Sequence, residues 1–127
     1  RRGRDLPLVG ISGGVRVALE AAEDLAAEGI EAEVVDPRTL VPLDIDTIVR
    51  SVARTRYLVV VDPAHQTCGA SAEICTRVVE LAFDSLRAAP VRVNTPDIQI
   101  PFAPEMEVPL YPNRARVAET VRKLLGA

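Results

Sequence analysis

The residues of this chain best placed to do chemistry are Asp62, His65 and Cys68, which close and follow the run Leu58-Val59-Val60-Val61. Consecutive aliphatics of this kind read as a central strand covered on both faces. The three residues therefore lie at the carboxyl end of a strand, where open α/β sheets bind ligands. A His near a Cys invites a nucleophile-and-base pair, and a Cys at a helix N-terminus has a lowered thiol pKa by position alone. The spacing decides little, because a dyad also needs an oxyanion site and an orienting group, which the sequence does not mark. Ordering of the loop, or contact with another subunit, accounts for the same residues.

Two further constellations invite the same comparison. Gly10-Ile11-Ser12-Gly13-Gly14 follows an apolar run and opens a helical pattern, the place of a phosphate-binding turn. It lacks the G-x-G-x-x-G order, and the acid closing the next strand, Asp36, is followed at once by Pro37, unlike a dinucleotide site. Glu105 and Glu107 flank Met106 in a proline-punctuated stretch. Paired acids suggest general acid/base work, but alternate positions on an extended loop more simply form a solvated edge. Cys68 and Cys75, with His65 as the single histidine, make neither a disulfide framework nor a metal-ligand set.

The elements that position these residues alternate along the chain. Leu6 to Ile11 and Ala32 to Val35 read as buried strands, with a helix between them whose apolar positions are Val15, Ala18, Leu19, Ala22, Leu25 and Ala26. Gly29 stands where its C-terminal cap belongs. Asp44 is placed to cap a helix with the stripe Ile45, Ile48, Val49 and Val52. Tyr57 to Val61 forms the central strand. The helix expected from Ala70 to Leu86 is apolar around much of its circumference, so it should be well buried, part of it against another subunit. Pro90 to Val93 makes a fourth strand. A last helix starts near Arg114 under an Asn113 cap and carries Val117, Val121, Leu124 and Leu125. Between Asn94 and Asn113 five prolines and no periodicity predict an ordered, extended crossing. Right-handed crossovers turn this order into a three-layer α/β/α domain with a mostly parallel sheet.

Five stretches, in order, resemble the C-terminal domain of the β subunit of thiamine-diphosphate-dependent 2-oxo acid dehydrogenases, the transketolase-like E1 component. The first is Asp36-Pro37-Arg38-Thr39-Leu40-Val41-Pro42-Leu43-Asp44 running on to Thr47-Ile48, similar to the D-x-R-T-L-x-P-L-D-x-x-T-I segment of that family. Next come the acid-closed strand at Asp62 and the helix opening Gly69-Ala70-Ser71-Ala72-Glu73-Ile74, where Ser71 replaces the second Gly of G-x-G and Asp62 stands where many relatives carry Glu. Ala89 to Val93, Pro96 to Phe102 and the final helix complete the likeness. The resemblance implies a transketolase C-terminal-like fold of about five strands with one antiparallel edge, part of it upstream of Arg1. It implies no catalytic, cofactor or metal residue in this stretch. Thiamine diphosphate and Mg would belong to the parent enzyme, held by the E1 α subunit and the N-terminal half of the β subunit. The implied role is contact with a second β subunit and, in several relatives, docking of the E2 subunit-binding domain, with Asp62, His65 and Cys68 as an interface loop. The fold alone would equally suit a transketolase or deoxyxylulose-phosphate synthase C-terminal domain, and a free-standing α/β interaction module is the non-enzyme alternative. The unbroken Arg38 to Asp44 run favours E1.

Length and charge bound the reading independently. One domain, residues 6–127, behind a short linker, 1–5, is expected of 127 residues. The start at Arg1-Arg2-Gly3-Arg4-Asp5, without Met, reads as a cut from a longer polypeptide. A net charge of -3 creates no basic field, which argues against nucleic acid as a partner. No apolar run approaches the ~20 residues a membrane helix needs, nor is there a secretory leader. The expectation is a cytoplasmic domain that forms a homodimer in isolation.

Overall fold

The computed structural model describes residues 1–126. Nine elements follow one another: β1 (Leu6–Gly10), α1 (Gly14–Ala27), β2 (Ala32–Val35), α2 (Ile45–Thr55), β3 (Val59–His65), α3 (Ala70–Ala82), β4 (Val91–Thr95), α4 (Pro104–Glu107) and α5 (Arg114–Leu125), with 3₁₀ turns at 83–85 and 108–110. The strands pair in the order β2-β1-β3-β4, and every pairing is parallel. Successive side chains of a strand point to opposite faces, and here both faces are filled. Leu6, Leu8, Val59, Val61 and Val93 pack against α1 and α5, while Val9, Leu58 and Val60 pack against α2 and α3. At ~1.5–3 kcal/mol for each fully buried large aliphatic, these two layers supply most of the driving force for folding. The α/β/α layering matches the expectation.

Local signals end the helices as anticipated. Past α1, Gly29 adopts φ 84°, with its amide on the Ala26 carbonyl and the Ile30 amide on that of Leu25, the paired bonds of a Schellman cap. Asp44 accepts the Thr47 amide at 3.1 Å and its hydroxyl at 2.7 Å. Asn113 accepts the Arg116 amide at 3.0 Å.

Three expectations change. The sheet has four strands among the described residues, where about five were implied. The first residues nonetheless begin an antiparallel pairing on the outer edge of β2, because Arg1 exchanges hydrogen bonds with Val34: the Val34 amide reaches the Arg1 carbonyl at 2.9 Å and the Arg1 amino group reaches the Val34 carbonyl at 3.3 Å. The helix expected to reach Leu86 stops at Ala82 and buries within this chain the stripe Ser71, Ile74, Val78 and Ala82, leaving exposed Val79, Leu81 and Phe83, on the side expected to lie partly against another subunit. A helix on the face of a sheet can hide one side only. Finally, the stretch 94–113 is not extended throughout, since it folds into one α turn and one 3₁₀ turn at 104–110, each with proline in its first turn, where a missing amide proton costs nothing.

Candidate functional site

The carboxyl end of β3 is built from a strand that does not stop at its acid. β3 continues through Pro63 to His65 with a register shift against β4 between Asp62 and His65. This bulge turns the Asp62 carboxylate inward, where it is 2% exposed. Its Oδ1 accepts the Ala64 amide and its Oδ2 the Ser71 amide, both at 3.0 Å. Asp62 therefore caps α3 from outside the helix. It was expected in an interface loop, and burial removes it from any surface.

Ser71, the departure from G-x-G, is also buried, and its hydroxyl pairs with the Asn94 carboxamide at 3.0–3.2 Å. The Asn94 amide nitrogen reaches on to the Ala64 carbonyl at 3.2 Å, and the Thr95 hydroxyl to that of Pro63 at 2.6 Å. Gly69 cannot be replaced cheaply: a β-carbon there would lie 2.7 Å from the His65 carbonyl oxygen and 3.1 Å from Asp62 Oδ2. Among the described residues no buried side-chain nitrogen or oxygen lacks a partner. A polar cluster satisfied from within is built for rigidity.

Outside this cluster the loop is stapled to the segment after β4. Asp97 accepts the Thr67 amide at 3.0 Å and the Thr67 hydroxyl at 2.7 Å, and these two bonds hold its carboxyl below the usual carboxylate range. His65 Nε2 lies 3.3 Å from the Ile98 carbonyl oxygen. His65, Asp97, Ile98, Gln99 and Ile100 line an open hollow of about 530 Å³. Arg116 fastens the return of the chain by donating to the carbonyls of Asn94, Leu110 and Tyr111 at 2.9–3.1 Å. Cys68 is exposed at φ 62°, whereas Cys75 sits lower on α3, where burial pushes its thiol up to about 11. His65 and Cys68 thus share a surface loop, while Ser71, Asn94, Asp97 and Arg116 order its surroundings through pairings that the sequence did not reveal. The pairings of Ser71 with Asn94, Thr67 with Asp97 and Arg116 with Asn94 span 22 to 30 residues, and no local pattern announces such pairs.

The glycine turn has a packing explanation. A β-carbon on Gly14 would collide with the Val61 carbonyl oxygen, and one on Gly10 would stand 2.5 Å from Val15 Cα. The Ile11, Gly14 and Val15 amides already donate to the carbonyls of Val61, Ile11 and Ser12. The turn brings α1 directly onto β3, and close packing accounts for Gly10 and Gly14. Glu105 and Glu107 act separately, since Glu107 accepts the Tyr111 hydroxyl at 2.7 Å while Glu105 faces solvent. Among the described residues no group of three or more His, Cys, Asp or Glu is disposed to hold a metal ion, nor is any helix long and apolar enough to cross a membrane.

Beside the polar staple the surface turns apolar. Ile98, Met106 and Val108 are exposed, and Phe102 is 100% exposed.

Comparison with known proteins agrees with this architecture. Residues 1–117 match the family model described as transketolase, C-terminal domain. The chain is 44% identical over 125 residues to the acetoin:2,6-dichlorophenolindophenol oxidoreductase subunit beta of Cupriavidus necator, a match covering 98% of this chain and 37% of that protein. It is 42% identical over 125 residues to the pyruvate dehydrogenase E1 component subunit beta of Bacillus subtilis, covering 98% of this chain and 38% of that one. Among solved structures, a split-gene transketolase described as an inactive β4 tetramer superposes with a TM-score of 0.80 at 27% identity, over 97% of this chain and 39% of its own. The chain thus spans well under half the length of these relatives.

Proposed function

This chain belongs to the transketolase C-terminal domain family, and on that premise we propose that it is the C-terminal assembly domain of the β subunit of a 2-oxo acid dehydrogenase E1 component. The parent enzyme, in this reading, uses thiamine diphosphate and Mg held outside this chain to oxidise a 2-oxo acid such as pyruvate, or acetoin, in the cytoplasm. The domain contributes no catalytic side chain; it contacts a second β subunit and offers a docking face to the E2 subunit-binding domain.

One observation carries the assembly role. At the carboxyl end of β3 and β4 the buried polar side chains are satisfied within the chain, while Ile98, Phe102, Met106 and Val108, on the segment after β4, stand exposed. Several exposed large apolar side chains on one segment of a folded domain suit an interaction face. The relatives at 42–44% identity, both subunits named beta, support the parent enzyme.

The test is reconstitution. The full-length subunit, assembled with its α partner, should reduce dichlorophenolindophenol with pyruvate, a branched 2-oxo acid or acetoin, and only with thiamine diphosphate and Mg present. Ketol transfer between sugar phosphates without any such oxidation would replace this reading with a transketolase. For the assembly face, Phe102→Asp should weaken β–β association without lowering the stability of the fold. A variant that assembles as tightly as the parent sequence would move the interface elsewhere.

A further inference from the structure

The most diagnostic stretch of the sequence, Asp36 to Asp44, lies on the surface. Its backbone is held internally: Asp36 Oδ1 accepts the Arg38 amide at 3.0 Å, the Thr39 hydroxyl donates to the Pro42 carbonyl at 2.7 Å, and the Leu43 carbonyl accepts the Ile45 amide at 2.8 Å. Of its three charges, Arg38 and Asp36 pair with each other, Arg38 Nε lying 2.8 Å from Asp36 Oδ2, while Asp44 is taken up by the Thr47 amide and hydroxyl. What remains at the tip is apolar, Leu40 at 47% and Val41 at 93% exposure. A loop already ordered and already charge-paired gives up little entropy or solvation on contact, which suits it to pack against another apolar surface.

The path of the first residues bears on what covers the tip. Residues 1–4 run antiparallel to β2, since Arg1 pairs with Val34 and the Arg4 amide reaches the Glu31 carbonyl at 2.9 Å. Backwards from Arg1, the polypeptide is therefore directed along β2 toward its carboxyl end, from which the Asp36–Leu43 loop departs. Relatives in which this stretch occupies 37–38% of the length have the remainder to place. The other apolar surface, around Phe102, follows β4, which lies on the opposite edge of the sheet, three strand spacings or roughly 14 Å from β2.

We infer that the Leu40-Val41-Pro42 tip is the seat of the polypeptide immediately preceding Arg1 in the parent subunit, a contact within one chain and not between two copies. The inference rests on the proposed place of this domain at the C-terminal end of a longer subunit. It divides the two apolar surfaces between two partners: the β2 side packs on the rest of its own subunit, and the β4 side faces a second subunit.

The test uses the full-length subunit carrying Val41→Cys, labelled with a soluble maleimide and read by peptide mass spectrometry. Position 41 should react at least about tenfold more slowly than in the urea-unfolded chain, and this protection should survive about hundredfold dilution, because a contact within one chain does not obey mass action. Val41→Asp in the same subunit should speed proteolysis just upstream of Arg1. Labelling as fast as in urea, or protection that fades on dilution, overturns the inference, the second outcome assigning the tip to another subunit. Dye reduction by the assembled enzyme reports on the parent reading separately. An active enzyme with a freely labelled position 41 overturns this contact alone, and an inactive assembly with a protected position 41 overturns the parent reading alone.

Discussion

Asp62 Oδ2 accepts the backbone N–H of Ser71 at 3.0 Å, so an acid within β3 caps the helix whose first turn lies nine residues further on. Through this one bond the central strand sets where α3 begins and how Gly69 must turn.

Asp62→Ala orphans the Ala64 and Ser71 amides, and each amide left without a partner in a buried setting costs ~1–3 kcal/mol. Asp44→Ala, at an exposed cap, should cost ~0.5–2 kcal/mol. His65→Ala, whose ring is exposed, should stay within ~0.5 kcal/mol of the parent sequence. Urea denaturation of the three variants should rank them in that order, and a His65→Ala more destabilising than Asp44→Ala would give His65 a structural role that its geometry does not suggest.

Two adjacent glycines should behave oppositely. Gly14→Ala drives a methyl onto the Val61 carbonyl, backbone against backbone, and should cost several kcal/mol or abolish folding. Gly13 has helical φ and ψ of -58° and -20°, and a methyl group placed on it would meet nothing within 4 Å. Gly13→Ala should therefore be neutral or stabilising, by at most ~1 kcal/mol. Equal losses in the two variants would show that the turn needs glycine for something other than close packing.

Acid should loosen α5 first. Hydrogen bonds from Arg114 and Arg122 hold Asp24 and Glu28 below the ordinary carboxylate range and tie α5 to α1. A carboxylate with a depressed folded-state pKa stabilises the fold above its unfolded pKa, and that contribution fades as pH falls through the folded value. The loss should set in below about pH 4, with α5 amides losing exchange protection before those of β3. Asp24→Asn with Glu28→Gln should flatten this acid limb; an unchanged limb would place the responsible groups elsewhere.

The two thiols should separate by reactivity. With its thiol at about 11, Cys75 holds little thiolate at neutral pH, whereas Cys68 is exposed. Iodoacetamide at pH 8 should modify Cys68 first, and peptide mapping that finds Cys75 alkylated at an equal rate would show that α3 opens readily.

Much of this molecule was legible residue by residue. Aliphatic runs at β1 and β3, the helical stripe of α2, the caps at Asp44 and Asn113 and the stop at Gly29 depend on neighbours within one or two turns, and such interactions keep their meaning wherever the chain folds. The order of motifs from Asp36 to Ile48 and from Asp62 to Ile74 identified the family for the same reason.

Tertiary structure alone decided the rest. Whether Asp62 faced a partner or its own helix depended on a bulge opposite β4. Ser71 met Asn94 and Thr67 met Asp97 only once parallel pairing brought β3 beside β4. Which side of α3 would stay in water, and which apolar tips would be left uncovered at the two edges of the sheet, followed from the strand order β2-β1-β3-β4. Periodicity says how many faces an element has to bury; only the packed arrangement says which of them finds a cover, because that depends on residues far away in the chain.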